Sequence, residues 1–178
     1  MTARVLVEPA KVGALVFVAA ILQVTLFDSL RILGGYPDVL LLTLMGNALL
    51  RGSIYGASAG FAAGLLVDTA SLATLGVTSL LLTIAGYWIG RYGETTGRDR
   101  GHAPYVSVAV ATILVQFGAL FLHYMLGDPV SARVVLLDAL PAKVLLNLLL
   151  TLPVYALTRR ALALAAAPEG ATEVRLLG

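Results

Sequence analysis

The chain of 178 residues is 59% hydrophobic and 12% charged, with a mean hydropathy of +0.92. A water-soluble domain of this length cannot hide so much apolar surface in one core, so the composition indicates an integral membrane protein. The formal charge of +2 comes from bases scattered over short connections, which points to membrane orientation rather than a nucleic-acid surface, and the lack of cysteine excludes disulfides, iron–sulfur clusters and thiol catalysis.

Charges cluster at 4–11, 28–31, 91–100, 128–138 and beyond 159, with long apolar stretches between them. That pattern predicts an all-α, polytopic transmembrane bundle in one domain, 1–178, with no connection long enough for a soluble domain. The first helix, 12–27, follows Arg4 and Lys11 as a secretory signal would, but its end, QVTLFDSL, lacks a small-residue cleavage pattern and reads as a retained span. The stretch YPDVLLLTLMGNALLRG gives a second helix, 37–50. Pro37 fits its first turn, where a missing N–H is no loss, and Asp38 complements the positive end of the helix dipole. Arg51-Gly52 ends it, and a third helix covers 53–67.

Both helices are short, about 21 to 24 Å of hydrophobic length at 1.5 Å per residue, where a perpendicular span needs roughly twenty residues. Bilayer thinning, snorkelling of Arg51 or burial inside the bundle must absorb the difference, and a re-entrant pair is the alternative topology. Three more helices follow at 75–90, 104–126 and 139–159, and 161–178 forms a short cytoplasmic tail. Pro153 is expected to kink the last helix, because it removes a backbone donor.

With six helices, one face carries Arg4, Lys11, Arg51, Arg91, Arg98, Arg100, Arg159, Arg160 and Arg175, and the other Arg31, Arg133 and Lys143: nine bases against three. The positive-inside rule puts both termini in the cytoplasm. Asp28, Asp38, Asp68, Asp128 and Asp138 then all fall outside.

The third helix steps through Gly52, Gly56, Gly60 and Gly64 at four-residue spacing. Such a face lets another backbone come close, and contact within the chain is favoured over an intermolecular seam. Asp68 either serves a function near membrane depth or caps the next helix together with Thr69 and Ser71. Thr43, Asn47 and Arg51 form a polar stripe expected to face protein, as glue between helices or the lining of a small polar cavity. Lys143 and Asn147 make a similar pair, and Lys143 is expected to snorkel or to meet an aspartate such as Asp38. Gln116 and His123 are read as hydrogen-bonding groups rather than a proton relay. No HExxH, GxSxG or GxxxxGK[ST] pattern occurs, so an enzyme is not expected.

The ordered set QVTLFDSLRILGGYPDVLLL, ALLRGSIYGASAGFAAGLLVD and LGVTSLLLTIAGYWIGR closely resembles the bacterial rod shape-determining MreD family. The likeness rests on Pro37-Asp38, the Leu50-Arg51-Gly52 turn, the glycine-stepped helix ending in Asp68, and the exit from Gly86-Tyr87 to Arg91. It implies a multi-pass inner-membrane protein with cytoplasmic termini and no cofactor. It further implies a non-enzymatic scaffold of the cell-elongation complex that binds MreC, beside MreB, RodA and a penicillin-binding transpeptidase. Polar residues carried by these motifs, Asn47 among them, are the family-site candidates. The rival reading is a six-helix substrate-binding subunit of a vitamin-type transporter, which needs an enclosed pocket with converging polar and aromatic groups. A flippase or other enzyme would need a charged cluster within the membrane.

Overall fold

A computed structural model describes residues 2–27, 34–96, 101–128 and 130–165. Asp28, Arg31, Arg98, Arg100, Arg175 and the tail 166–178 lie outside the described residues. Six α-helices make up the fold: α1 (Thr2–Leu22), α2 (Val39–Arg51), α3 (Ser53–Ala70), α4 (Val77–Thr96), α5 (Ala103–Leu126) and α6 (Leu140–Ala165). Two π-helical turns adjoin them, Gln23–Phe27 after α1 and Val134–Ala139 before α6.

Several bounds differ from the sequence reading. α1 begins at Thr2 rather than near 12, α4 runs on past 90 to Thr96, and α6 passes through Pro153 and continues to Ala165. Pro37 lies outside the first turn of α2, because Asp38 is the N-cap residue and Val39 the first helical one.

The middle of the bundle is α2. Every residue from Leu40 to Leu49 is buried, and all five other helices pack against it. This resolves the short length: 13 residues rise about 20 Å, and a helix screened on all sides has no lipid-facing stretch to match to a bilayer. Of the ways to absorb the difference, burial inside the bundle is the one that the packing of α2 displays. The remaining helices bury one stripe each, as Val12, Val16, Ala19 and Ala20 do on α1.

The bundle buries polar groups within a largely apolar core and is apolar outside. Asn47, Asp68, Thr112, Asn147 and Thr151 are buried, whereas Phe17, Phe61, Val110, Phe117, Phe121 and Leu149 are exposed. An exterior of that kind suits hydrocarbon rather than water. Among the described residues, two helices are long and apolar enough to cross a membrane, Ala103–Leu126 and the continuous run Val134–Leu162.

Helix directions alternate, so the bundle has two chemically distinct ends. Asp38, Asp68, Asp128 and Lys143 gather toward one, here called the Asp38 end. Arg51, Arg91, Arg159 and Arg160 gather toward the other, the Arg51 end, where Gly46 of α2 lies against Thr158 of α6.

Candidate functional site

The glycine face of α3 packs on α4 of the same chain. The register is antiparallel: Gly52 and Ser53 meet Gly90, Gly56 meets Gly86, Gly60 meets Leu82 and Gly64 meets Ser79. A Cβ at Gly60 would run into the Leu82 carbonyl, and one at Gly56 into the Gly86 carbonyl. The two backbones are therefore in direct contact, and the Ser79 hydroxyl crosses the seam to donate to the Phe61 carbonyl at 2.9 Å.

Each helix of this pair caps the other. Asp68, 1% exposed near the end of α3, accepts from the backbone N–H groups of Gly76, Thr78 and Ser79 at the start of α4, at 2.7, 3.3 and 3.4 Å. Glu94, near the end of α4, accepts from the Ser53 N–H at 2.7 Å and its hydroxyl at 3.0 Å at the start of α3. Helix N-termini leave N–H groups without partners, and a carboxylate there also meets the positive end of the dipole. Gly52 joins α2 to α3 with φ +99°, a conformation that side chains resist, and a Cβ there would lie 2.5 Å from Glu94 Oε1. Asp68 thus has a capping role, but through its own side chain rather than with Thr69 and Ser71, whose hydroxyls donate back to Leu65 and Val67 carbonyls.

The Ser53 N–H, then its hydroxyl, then Arg91 hold the Glu94 carboxyl below its ordinary value of 4.5, against desolvation that pushes the other way. A depressed carboxylate stabilises the fold above its unfolded value and loses that contribution as pH falls through the folded one. Glu94→Gln is therefore expected to lower stability at neutral pH. The gap to the unaltered chain should close as pH falls below 4.5. Thermal unfolding in mild detergent across that range checks it; a gap independent of pH would contradict the assigned cap.

At the Asp38 end, the buried start of α2 is tied to three other helices. Asp38 Oδ1 accepts from the Leu41 N–H at 2.9 Å, and Oδ2 pairs with Lys143 Nζ of α6 at 3.2 Å. Lys143 also lies 4.6 Å from the centre of the Tyr36 ring. The Asp38 N–H donates to Asn147 Oδ1 at 2.8 Å, and Asn147 Nδ2 donates to Thr112 Oγ1 of α5 at 3.0 Å. Gln23, in the π-helical turn after α1, accepts from the Val39 N–H at 2.9 Å and donates to the Pro37 carbonyl at 3.3 Å. The Lys143–Asn147 pair thus meets Asp38, and the interior does hold a charged pair, with opposite signs compensated.

The polar stripe behaves differently. Thr43 bonds its own helix at Val39, Asn47 is wholly buried with neither amide atom partnered, and Arg51 lies 5.8 Å from the Tyr55 ring. Asn47 therefore supplies no hydrogen-bonded glue between helices. Arg91 pairs with Glu94 at 3.3 Å on the surface.

A cavity of about 350 Å³ opens at the Asp38 end. Gln23, Tyr36, Asp38, Thr78, Gln116, His123 and Lys143 supply its polar lining, and leucines, valines and one alanine from α2 to α5 and from the segment before α6 the rest. His123 Nδ1 is 2.7 Å from Asp128 Oδ2. Among the described residues, no group of three His, Asp or Glu side chains gathers as a metal site would require.

Three tying residues escape the sequence reading: Gln23, Thr112 and Glu94. For Gln23 the signal is a lone amide in an apolar run; for Glu94 it is hidden by ending α4 at 90. No curated protein and no solved structure matches the chain. The family described as rod shape-determining protein MreD matches it across residues 9–161, most of its length, and the chain therefore belongs to the MreD family.

Proposed function

We propose that this chain is a non-enzymatic, multi-pass scaffold of the rod-shape complex in the bacterial inner membrane, with both termini cytoplasmic and MreC as its direct partner. Family membership makes it a rod-shape-determining membrane protein. The scaffold reading rests on one observation: the buried ionisable groups Asp38, Lys143 and Asp68 are engaged in ties between helices or in helix caps. A carboxylate already accepting such bonds is poorly placed as a general base. MreB, RodA and a penicillin-binding transpeptidase belong to the larger assembly in this reading. The Arg51 end, with its basic residues, faces the cytoplasm, and the Asp38 end faces outward.

Reporter fusions at Met1 and Gly178 are expected to report the same, cytoplasmic side, and deletion of the chain to round the cells. Fusions on opposite sides, or unchanged rods, would contradict the proposal. The cavity beside Lys143 is the observation that favours the second reading, a substrate-binding subunit of a vitamin-type transporter. Tight, saturable binding of a vitamin with normal cell shape on deletion would support that reading instead.

A further inference from the structure

We propose that the turn between α3 and α4 is a docking prong, with Leu72 as the anchor that enters an apolar pocket on the extracytoplasmic part of the partner protein. This rests on the scaffold reading, in which that partner is MreC and the Asp38 end faces outward. The turn follows Asp68 and therefore lies at that end.

The end of α3 is a Schellman motif: the Ala73 N–H reaches back to the Asp68 carbonyl at 3.1 Å, and Leu72 before it is left-handed, with φ +53°. That position is ordinarily glycine, sometimes asparagine, because a Cβ there crowds the backbone. Leu72 is the one non-glycine residue with positive φ among the described residues, and it is 93% exposed. Its side chain costs the fold stability and fills no part of it. A strained residue held in place by its surroundings points to a task outside the fold. The turn does hold it. The Asp68 carboxylate accepts from the Gly76, Thr78 and Ser79 N–H groups, the Val77 N–H donates to the Thr74 carbonyl at 3.3 Å, and the Ser71 N–H and hydroxyl both donate to the Val67 carbonyl.

Every residue from Thr69 to Leu75 is exposed. Leu72 and Leu75 supply the apolar part, with Thr69, Ser71 and Thr74 beside them, the mixture of apolar centre and polar rim found at protein interfaces. Residues 69–76, TASLATLG, carry no charge, so the matching pocket is apolar. A bilayer is the other surface that could take a leucine, and two observations stand against it. The turn contains none of the Trp, Tyr, Lys or Arg that anchor a loop at a membrane interface. Lipid is fluid and accepts a leucine in any orientation, whereas a shaped pocket favours a side chain already fixed in its bound direction.

The test measures binding of full-length MreC to the full chain in nanodiscs. Leu72→Asn should weaken it roughly tenfold or more, the worth of burying a leucine side chain, and Leu72→Met should retain it. Because asparagine tolerates the left-handed region, Leu72→Asn should also raise the thermal midpoint, by about 2–4 °C. Leu72→Gly should repeat both results. The chain has no cysteine, so a spin label at Ala73→Cys is unique. Without MreC the label should be open to a water-soluble relaxation agent, and MreC should shield it.

A label buried in lipid before MreC is added, and unchanged afterwards, assigns the prong to the bilayer and overturns the inference. A lowered midpoint in both Leu72→Asn and Leu72→Gly does the same, by placing the leucine in the service of the chain's own fold. MreC binding indifferent to both variants overturns the inference and leaves the scaffold reading standing; no binding of MreC to the unaltered chain overturns both.

Discussion

Gly60→Leu is expected to separate α3 from α4 and leave little folded protein in mild detergent. The obstacle is backbone: a Cβ at Gly60 collides with the Leu82 carbonyl and crowds its carbon and the Thr83 nitrogen at 2.6 and 3.0 Å. A side-chain neighbour can change rotamer, but a helix backbone moves only with the whole helix. Overpacking a core costs about 1–3 kcal/mol where side chains can adjust, and a cost at or above the top of that range is expected here. The caps would fail together, because separating the helices withdraws Asp68 from Gly76 and Glu94 from Ser53. Gly13→Leu is the control, since nothing lies within 4 Å of a Cβ there. Size-exclusion profiles and thermal unfolding of the two variants check the prediction; equal behaviour would refute the zipped seam.

The second large effect is expected at the buried ion pair. Asp38 and Lys143 have side chains only 14% and 8% exposed. Removing one partner leaves an uncompensated buried charge, at a cost of about 3–5 kcal/mol. Lys143→Met and Asp38→Asn should each destabilise by this order; in the latter the amide oxygen still accepts from the Leu41 N–H, so the cap survives and only the charge is lost. The double variant should recover much of the loss, because neither charge remains to be desolvated. Thermal unfolding of the two single variants and the double variant measures the coupling. Additive losses would show that the two residues do not act as a pair.

The helices themselves are legible in the sequence because apolar runs bounded by charge or glycine are local signals. The four-residue glycine step is legible for the same reason, and it foretells close packing without naming the partner helix. What covers α2 is not, since a leucine-rich helix looks alike against lipid and against five neighbours. The pairing of Asp38 with Lys143 is one of two outcomes open in the sequence, snorkelling of Lys143 being the other, and its neighbours Gln23, Asn147 and Thr112 come together only through the fold. Glu94 is hidden because the basic exit at Arg91 looks like a helix end, while the chain keeps its helix for another turn and carries a cap to α3. Asn47 shows the opposite failure: a stripe that reads as glue has, at its centre, an amide without partners.

The scaffold account is tested most directly by affinity purification of the tagged full chain from native membranes in mild detergent, with identification of what accompanies it. The account predicts MreC as the stoichiometric companion, with RodA and its transpeptidase partner in lesser amounts. Recovery instead with a transporter's energising subunits, and without MreC, would contradict it.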